Sequence, residues 1–141
     1  MVTRRKFIKS SCAACIGMMG SGLLLEACAS RFPLVKLTPS ADQMIHVPLT
    51  SFLPESNMII VRSKTLENDI LLRKTADGYK ALYLHCTHEG VALTPTPEKI
   101  FCHAHGSVFN LDGQVVQDPA TDPLKQFKAE LSNNEILIHI S

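Results

Sequence analysis

Cys86-Thr87-His88-Glu89-Gly90 and Cys102-His103-Ala104-His105-Gly106-Ser107 are the two stretches on which the reading of this chain turns. As a spacing they give C-x-H-x13-C-x-x-H. Each half supplies one thiol and one imidazole, and a glycine closes each half. Two body cysteines in an oxidising compartment could form a disulfide. The same cysteines with two histidines could hold a metal, since thiolates are soft ligands and neutral imidazoles suit zinc and iron. A four-ligand zinc site is chemically open, although zinc spacings usually keep the two cysteines together, and here they are interleaved with the histidines.

The two boxes resemble those of the Rieske family. Cys86 to Gly90 is similar to its C-T-H-x-G box, and Cys102 to Phe109 to its C-x-x-H-G-S-x-F/Y box. Asn110-Leu111-Asp112-Gly113 follows as the hairpin, and Asp118-Pro119-Ala120 with Pro123-Leu124 resembles the G-P-A-x-x-P-L loop that covers the cluster. The resemblance runs from about Ile45 to the C-terminus and is strongest from Tyr79 to Leu124. It implies one [2Fe–2S] cluster per chain, with Cys86 and Cys102 on one iron and His88 and His105 on the other. It also implies that Ser107 donates to a bridging sulfide. Replacing two thiolates by two neutral imidazoles makes such a cluster less negative and raises its potential above that of a four-cysteine ferredoxin.

Some departures from the family pattern carry information. The gap of 13 residues is short, and Asp118 stands where Gly is usual. The quinol-oxidising branch has a further cysteine in each box, joined in a disulfide, where this chain has Val91 and Ala104. Phe109 stands where that branch has a tyrosine donating to a ligand sulfur. Hydrogen bonds to cluster sulfur stabilise the reduced state. Losing one donor and keeping Ser107 predicts a potential below the top of the roughly −150 to +300 mV Rieske range.

Outward from the boxes the body reads as short extended runs. Met44 to Leu49, Met58 to Arg62, Ile70 to Arg73 and Tyr79 to Leu84 are β-branched or aliphatic. Ile100-Phe101, Val108-Phe109 and Val115-Val116 are shorter candidates, and Phe127 to Leu131 pairs with Glu135 to Ile140 across Ser132-Asn133-Asn134. Asp77-Gly78 and Asp112-Gly113 are tight-turn signals. Asp122 to Gln126 is expected as a short helical turn. The whole predicts an all-β, antiparallel sandwich or barrel of eight to ten strands with an inserted cluster-binding subdomain, over residues 44–141. Residues 30–43, with Pro33 and Pro39, read as a tether.

Residues 1–29 read as a targeting segment, expected as a signal or anchor helix. Thr3-Arg4-Arg5-Lys6-Phe7-Ile8-Lys9 resembles the twin-arginine export motif. The uncharged stretch Ser10 to Leu25 has 16 residues, short of the roughly 20 a spanning helix needs. Twin-arginine export carries folded proteins, so this leader implies a cofactor inserted before export. Leu25-Glu26-Ala27-Cys28 resembles a lipobox and makes Cys28 a lipidation candidate. Glu26 departs from that pattern, and Ala27-Cys28-Ala29 also fits ordinary signal cleavage.

Cut before Cys28, the chain keeps ten basic and twelve acidic residues. That slightly acidic balance argues against nucleic acid as a partner. His85 and His103 flank the ligands without being required by the spacing and read as surface or supporting residues. His46 and His139 read as structural or exposed, and Glu89 as a solvated loop residue. No acid–base pair or open metal position supports standalone catalysis. The reading is an exported electron-transfer protein, anchored to the membrane by lipid or helix. Its redox partner would be a cytochrome, a quinol-oxidising complex or an exported oxidoreductase. The alternatives are a zinc-binding envelope lipoprotein without redox turnover, and a ring-oxygenase ferredoxin, against which the leader speaks.

Overall fold

A computed structural model describes residues 32–141. The leader, with Arg4, Arg5 and Cys28, lies outside the described residues. Eleven strands and one short 3-10 turn, Leu49–Ser51, make up the described part. The larger sheet contains β1 (Leu34–Lys36), β2 (Met44–Pro48), β3 (Met58–Arg62), β4 (Ile70–Thr75), β5 (Gly78–Tyr83), β10 (Gln126–Ser132) and β11 (Glu135–His139). Its order is β1-β3-β4-β5-β10-β11-β2. All neighbours are antiparallel except β1 and β3. The smaller sheet contains β6 (Thr94–Pro95), β7 (Lys99–Phe101), β8 (Val108–Asn110) and β9 (Val115–Gln117), in chain order.

Side-chain alternation explains the two layers. In β4, Ile70 and Leu72 enter the main core while Leu71 faces a second one, and all three are fully buried. In β5, Ala81 faces the first core and Leu82 the second; in β3, Ile59 and Val61 face the first and Met58 the second. A strand with period 2 and apolar residues at successive positions must be covered on both faces. The large sheet therefore curls around Ile45, Val47, Ile59, Val61, Ile70, Leu72, Phe127, Ile136 and Ile138. The small sheet covers its outer face through Ile100 and Phe109.

The second core positions the site. Cys86 and Cys102 belong to it, with Leu84, Leu93, Ala120 and Leu124. β5 and β10 pair directly, Leu82 opposite Gln126 and Ala81 opposite Phe127, so residues 84–125 are an insertion between neighbouring strands. Asp112, in the β8–β9 hairpin, pins the insertion to the large sheet. Arg73 donates to it at 3.0 Å and Lys80 at 2.5 Å.

Some expectations change. The strand count exceeds the expected eight to ten. Part of the segment read as a tether is taken up as β1: Ile60 N–H donates to Pro33 O at 2.8 Å, and Val35 and Leu37 pack on the main core. The helical turn expected over Asp122 to Gln126 does not form. Leu124 N–H donates to Gly113 O at 2.8 Å, which draws the segment extended into the second core before Gln126 opens β10. Pro123, with no N–H to donate, suits that course. Among the described residues no helix is long and apolar enough to cross a membrane.

Candidate metal centre

One backbone device occurs twice. Cys86 N–H donates to Val91 O at 2.9 Å, and Gly90 N–H donates back to Cys86 O at 2.7 Å. Cys102 N–H donates to Ser107 O at 2.9 Å, and Gly106 N–H to Cys102 O at 3.0 Å. The fifth residue of each turn is glycine at positive φ, 74° for Gly90 and 85° for Gly106, where a side chain would be strained. Each glycine carbonyl is held by an amide side chain from outside its turn. Asn68 Nδ2 donates to Gly90 O at 3.3 Å and Gln117 Nε2 to Gly106 O at 2.9 Å.

These turns separate the donors by depth. Cys86 and Cys102 are buried thiols, each 2% exposed. Both are free thiols in the structure. His88 and His105 are exposed, with ring centroids 5.2 Å apart and planes at 90°. Among the described residues the donors gathered within 4.8 Å of one another are His88, Glu89 and His105, without either sulfur. A single tetrahedral zinc would bring sulfur and nitrogen to one point. A sulfur pair below and a nitrogen pair above fit a group with two metals, one soft-ligated and one on imidazoles.

The surrounding shell ties three loops together. Ser107 is fully buried, and its Oγ accepts from Ala120 N–H at 3.0 Å. Among the described side-chain hydrogen bonds that hydroxyl donates to no protein acceptor. Thr87 Oγ1 donates to Asp122 O at 2.7 Å, joining the first turn to the third loop. The Asp118–Pro119 peptide is cis. His85 is half-buried, stacked on Tyr83 at 5.1 Å and paired through Nδ1 with Asn68 Nδ2 at 2.8 Å. It is thus a supporting residue, while His103 is exposed. His46 pairs with Glu135 at 3.0 Å and His139 with Glu130 at 2.9 Å.

Sequence reading did not anticipate the contacts of three residues, though Glu89 is exposed as read. Glu89, read as solvated, extends between the imidazoles: Oε1 is 3.9 Å from His88 Nε2 and Oε2 3.6 Å from His105 Nδ1. Asn68 and Gln117 carry no motif, because their roles arise from approach across the fold. Only the position of Glu89, between the first His and Gly of its turn, could have drawn attention to it.

A family model described as the Rieske [2Fe-2S] domain matches residues 44–128. The chain is 27% identical over 118 residues to the cytochrome b6-f complex iron-sulfur subunit of Chlorobaculum thiosulfatiphilum, covering 79% of this chain and 65% of that protein. It is 40% identical over 55 residues to the same-named subunit of Gloeobacter violaceus, covering 38% and 30%. The chain therefore spans just under two thirds of the first relative's length. Among solved structures, the plasma membrane Rieske protein of Synechocystis aligns with TM-score 0.55 and 22% identity, over 66% of this chain and 96% of that one. A chain of a hyperthermophilic respiratory Complex III aligns with TM-score 0.53 and 16% identity, over 94% and 92%. These two likenesses are of fold.

Proposed function

The chain belongs to the Rieske [2Fe–2S] domain family, and from that premise we propose that Cys86, Cys102, His88 and His105 hold its cluster in an exported electron-transfer subunit. The single observation that carries the assignment is the repeated turn, which buries two thiols in one core and leaves two imidazoles at the surface above them. When bound, the cluster accepts and returns one electron. The chain's own residues do the rest. Leu84, Leu93, Ala120 and Leu124 exclude water from the thiols. Ser107 keeps a proton to donate toward sulfur, which favours the reduced state. The exposed imidazole edges offer a partner the shortest approach and can carry a proton with the electron.

The partner we propose is a membrane or periplasmic oxidoreductase complex or a cytochrome. The names of the relatives favour a complex of the cytochrome b6-f kind. Val91 and Ala104, at the positions of the missing cysteines, and Phe109 favour a disulfide-lacking variant with a partner outside the standard complex. Export by the twin-arginine route and lipidation at Cys28 are supported by the leader residues. The test of export is Arg4→Lys with Arg5→Lys: the cluster-loaded form should stay in the cytoplasm, and normal export would end that reading.

The test of the centre is anaerobic purification of the full-length chain. Iron and acid-labile sulfide in equal amounts, with a low-g resonance on reduction, are expected. Zinc in their place, or neither, would remove the assignment.

A further inference from the structure

Glu89 stands between the two turns. Its nearness to His88 follows from sequence, but its approach to His105 is a product of the fold. At 3.9 and 3.6 Å the carboxylate oxygens lie beyond hydrogen-bond range, so any coupling is through space. Its ion-pair partners within 4.0 Å are the two imidazoles, and the nearest lysine in sequence to the third loop is Lys125. Residues 85–92, 102–107 and 117–124, which form the three loops, contain no lysine or arginine. Among the described residues the ion pairs of Glu89 are with these two imidazoles alone.

We infer that Glu89 is a positioning residue for redox tuning: its carboxylate holds a negative charge against both imidazole edges and lowers the reduction potential of the centre. The inference rests on His88 and His105 being iron ligands. Electron uptake adds one negative charge to the site, and a fixed anion a few ångströms away opposes it. Neutral imidazoles raise the potential of such a centre, and an anion beside them, near Nε2 of His88 and Nδ1 of His105, works against that gain. Glu89 is exposed, so its effect weakens as salt screens it.

The test compares wild type, Glu89→Gln and Glu89→Asp as full-length, cluster-loaded protein. Iron, acid-labile sulfide and the visible spectrum establish that each carries the same centre. Voltammetry at low and high ionic strength then reads the potential. Glu89→Gln should raise it by up to about tenfold in the equilibrium constant for electron uptake, or ~59 mV for one electron. Glu89→Asp should stay near wild type, and the gap should narrow in high salt. A Glu89→Gln potential equal to wild type with an intact centre overturns the inference. So does loss of the centre in Glu89→Gln with its retention in Glu89→Asp, which would make the carboxylate an assembly requirement. A wild-type chain without iron and sulfide instead removes the ligand assignment beneath it.

Discussion

The amide of Ala120 donates to the hydroxyl of Ser107 at 3.0 Å, and both residues are fully buried. This bond closes the third loop over the second turn. Ser107→Ala should leave a buried N–H unpaired, at a cost of about 1–3 kcal/mol. It also deletes the donor proposed to face cluster sulfur, so the reduction potential should fall. Thermal unfolding reads the first effect and voltammetry the second. A Ser107→Ala chain with lowered stability and an unmoved potential would confine Ser107 to the loop closure.

The two turn glycines should respond differently to alanine. Both have positive φ, so each substitution incurs the left-handed penalty of about 1–2 kcal/mol. At Gly106 the added Cβ meets only Gln117 Nε2 at 3.8 Å. At Gly90 it would stand 3.1 and 3.2 Å from the His85 ring, which Tyr83 and Asn68 hold in place. Gly90→Ala should therefore destabilise more than Gly106→Ala in matched denaturant titrations. Equal losses would mean that His85 yields without resistance.

Asp112 links the inserted hairpin to Arg73 and Lys80. The hydrogen bond from Lys80, and then its charge, hold the Asp112 carboxyl below its ordinary value. A carboxyl with a depressed folded-state pKa stabilises fully above its unfolded pKa, and that contribution fades as pH falls through the folded one. Asp112→Asn should thus lower stability at neutral pH and flatten the acid limb of the stability curve. Chemical denaturation from pH 7 down to pH 3 checks this. An acid limb as steep as wild type would place the sensitivity elsewhere, with Glu130 and its partners Lys128 and His139 next in line.

Replacing a neutral ligand by a thiolate adds negative charge to the centre. His88→Cys or His105→Cys, where a cluster still assembles, should lower the reduction potential toward that of four-cysteine ferredoxins, near −400 mV. An unchanged potential would take that histidine off the ligand list.

Much of the fold was legible because its strands are short apolar runs between turn residues. Met58–Arg62 forms over the expected span, and Asp77-Gly78 and Asp112-Gly113 sit at their hairpins. β1 and β6 were not legible, since Leu34–Lys36 and Thr94–Pro95 are too short to show a period and exist through partner strands. The turn expected at Asp122 failed for a related reason: a long-range bond to Gly113 outweighed the local preference.

The sequence by itself determined the candidate donor set, its order and the glycines that close both turns, because those depend on residue chemistry and local backbone freedom. It left open whether two thiols and two imidazoles thirteen residues apart would surround one ion or divide into two layers. Tertiary structure decided that division, by sinking both cysteines into the core between the sheets and leaving both histidines outside it. It also brought Glu89 across to His105 and set Asn68 and Gln117 on the glycine carbonyls. Such contacts join residues distant in the chain, and their geometry follows from how the insertion packs on the large sheet, to which no local pattern is sensitive.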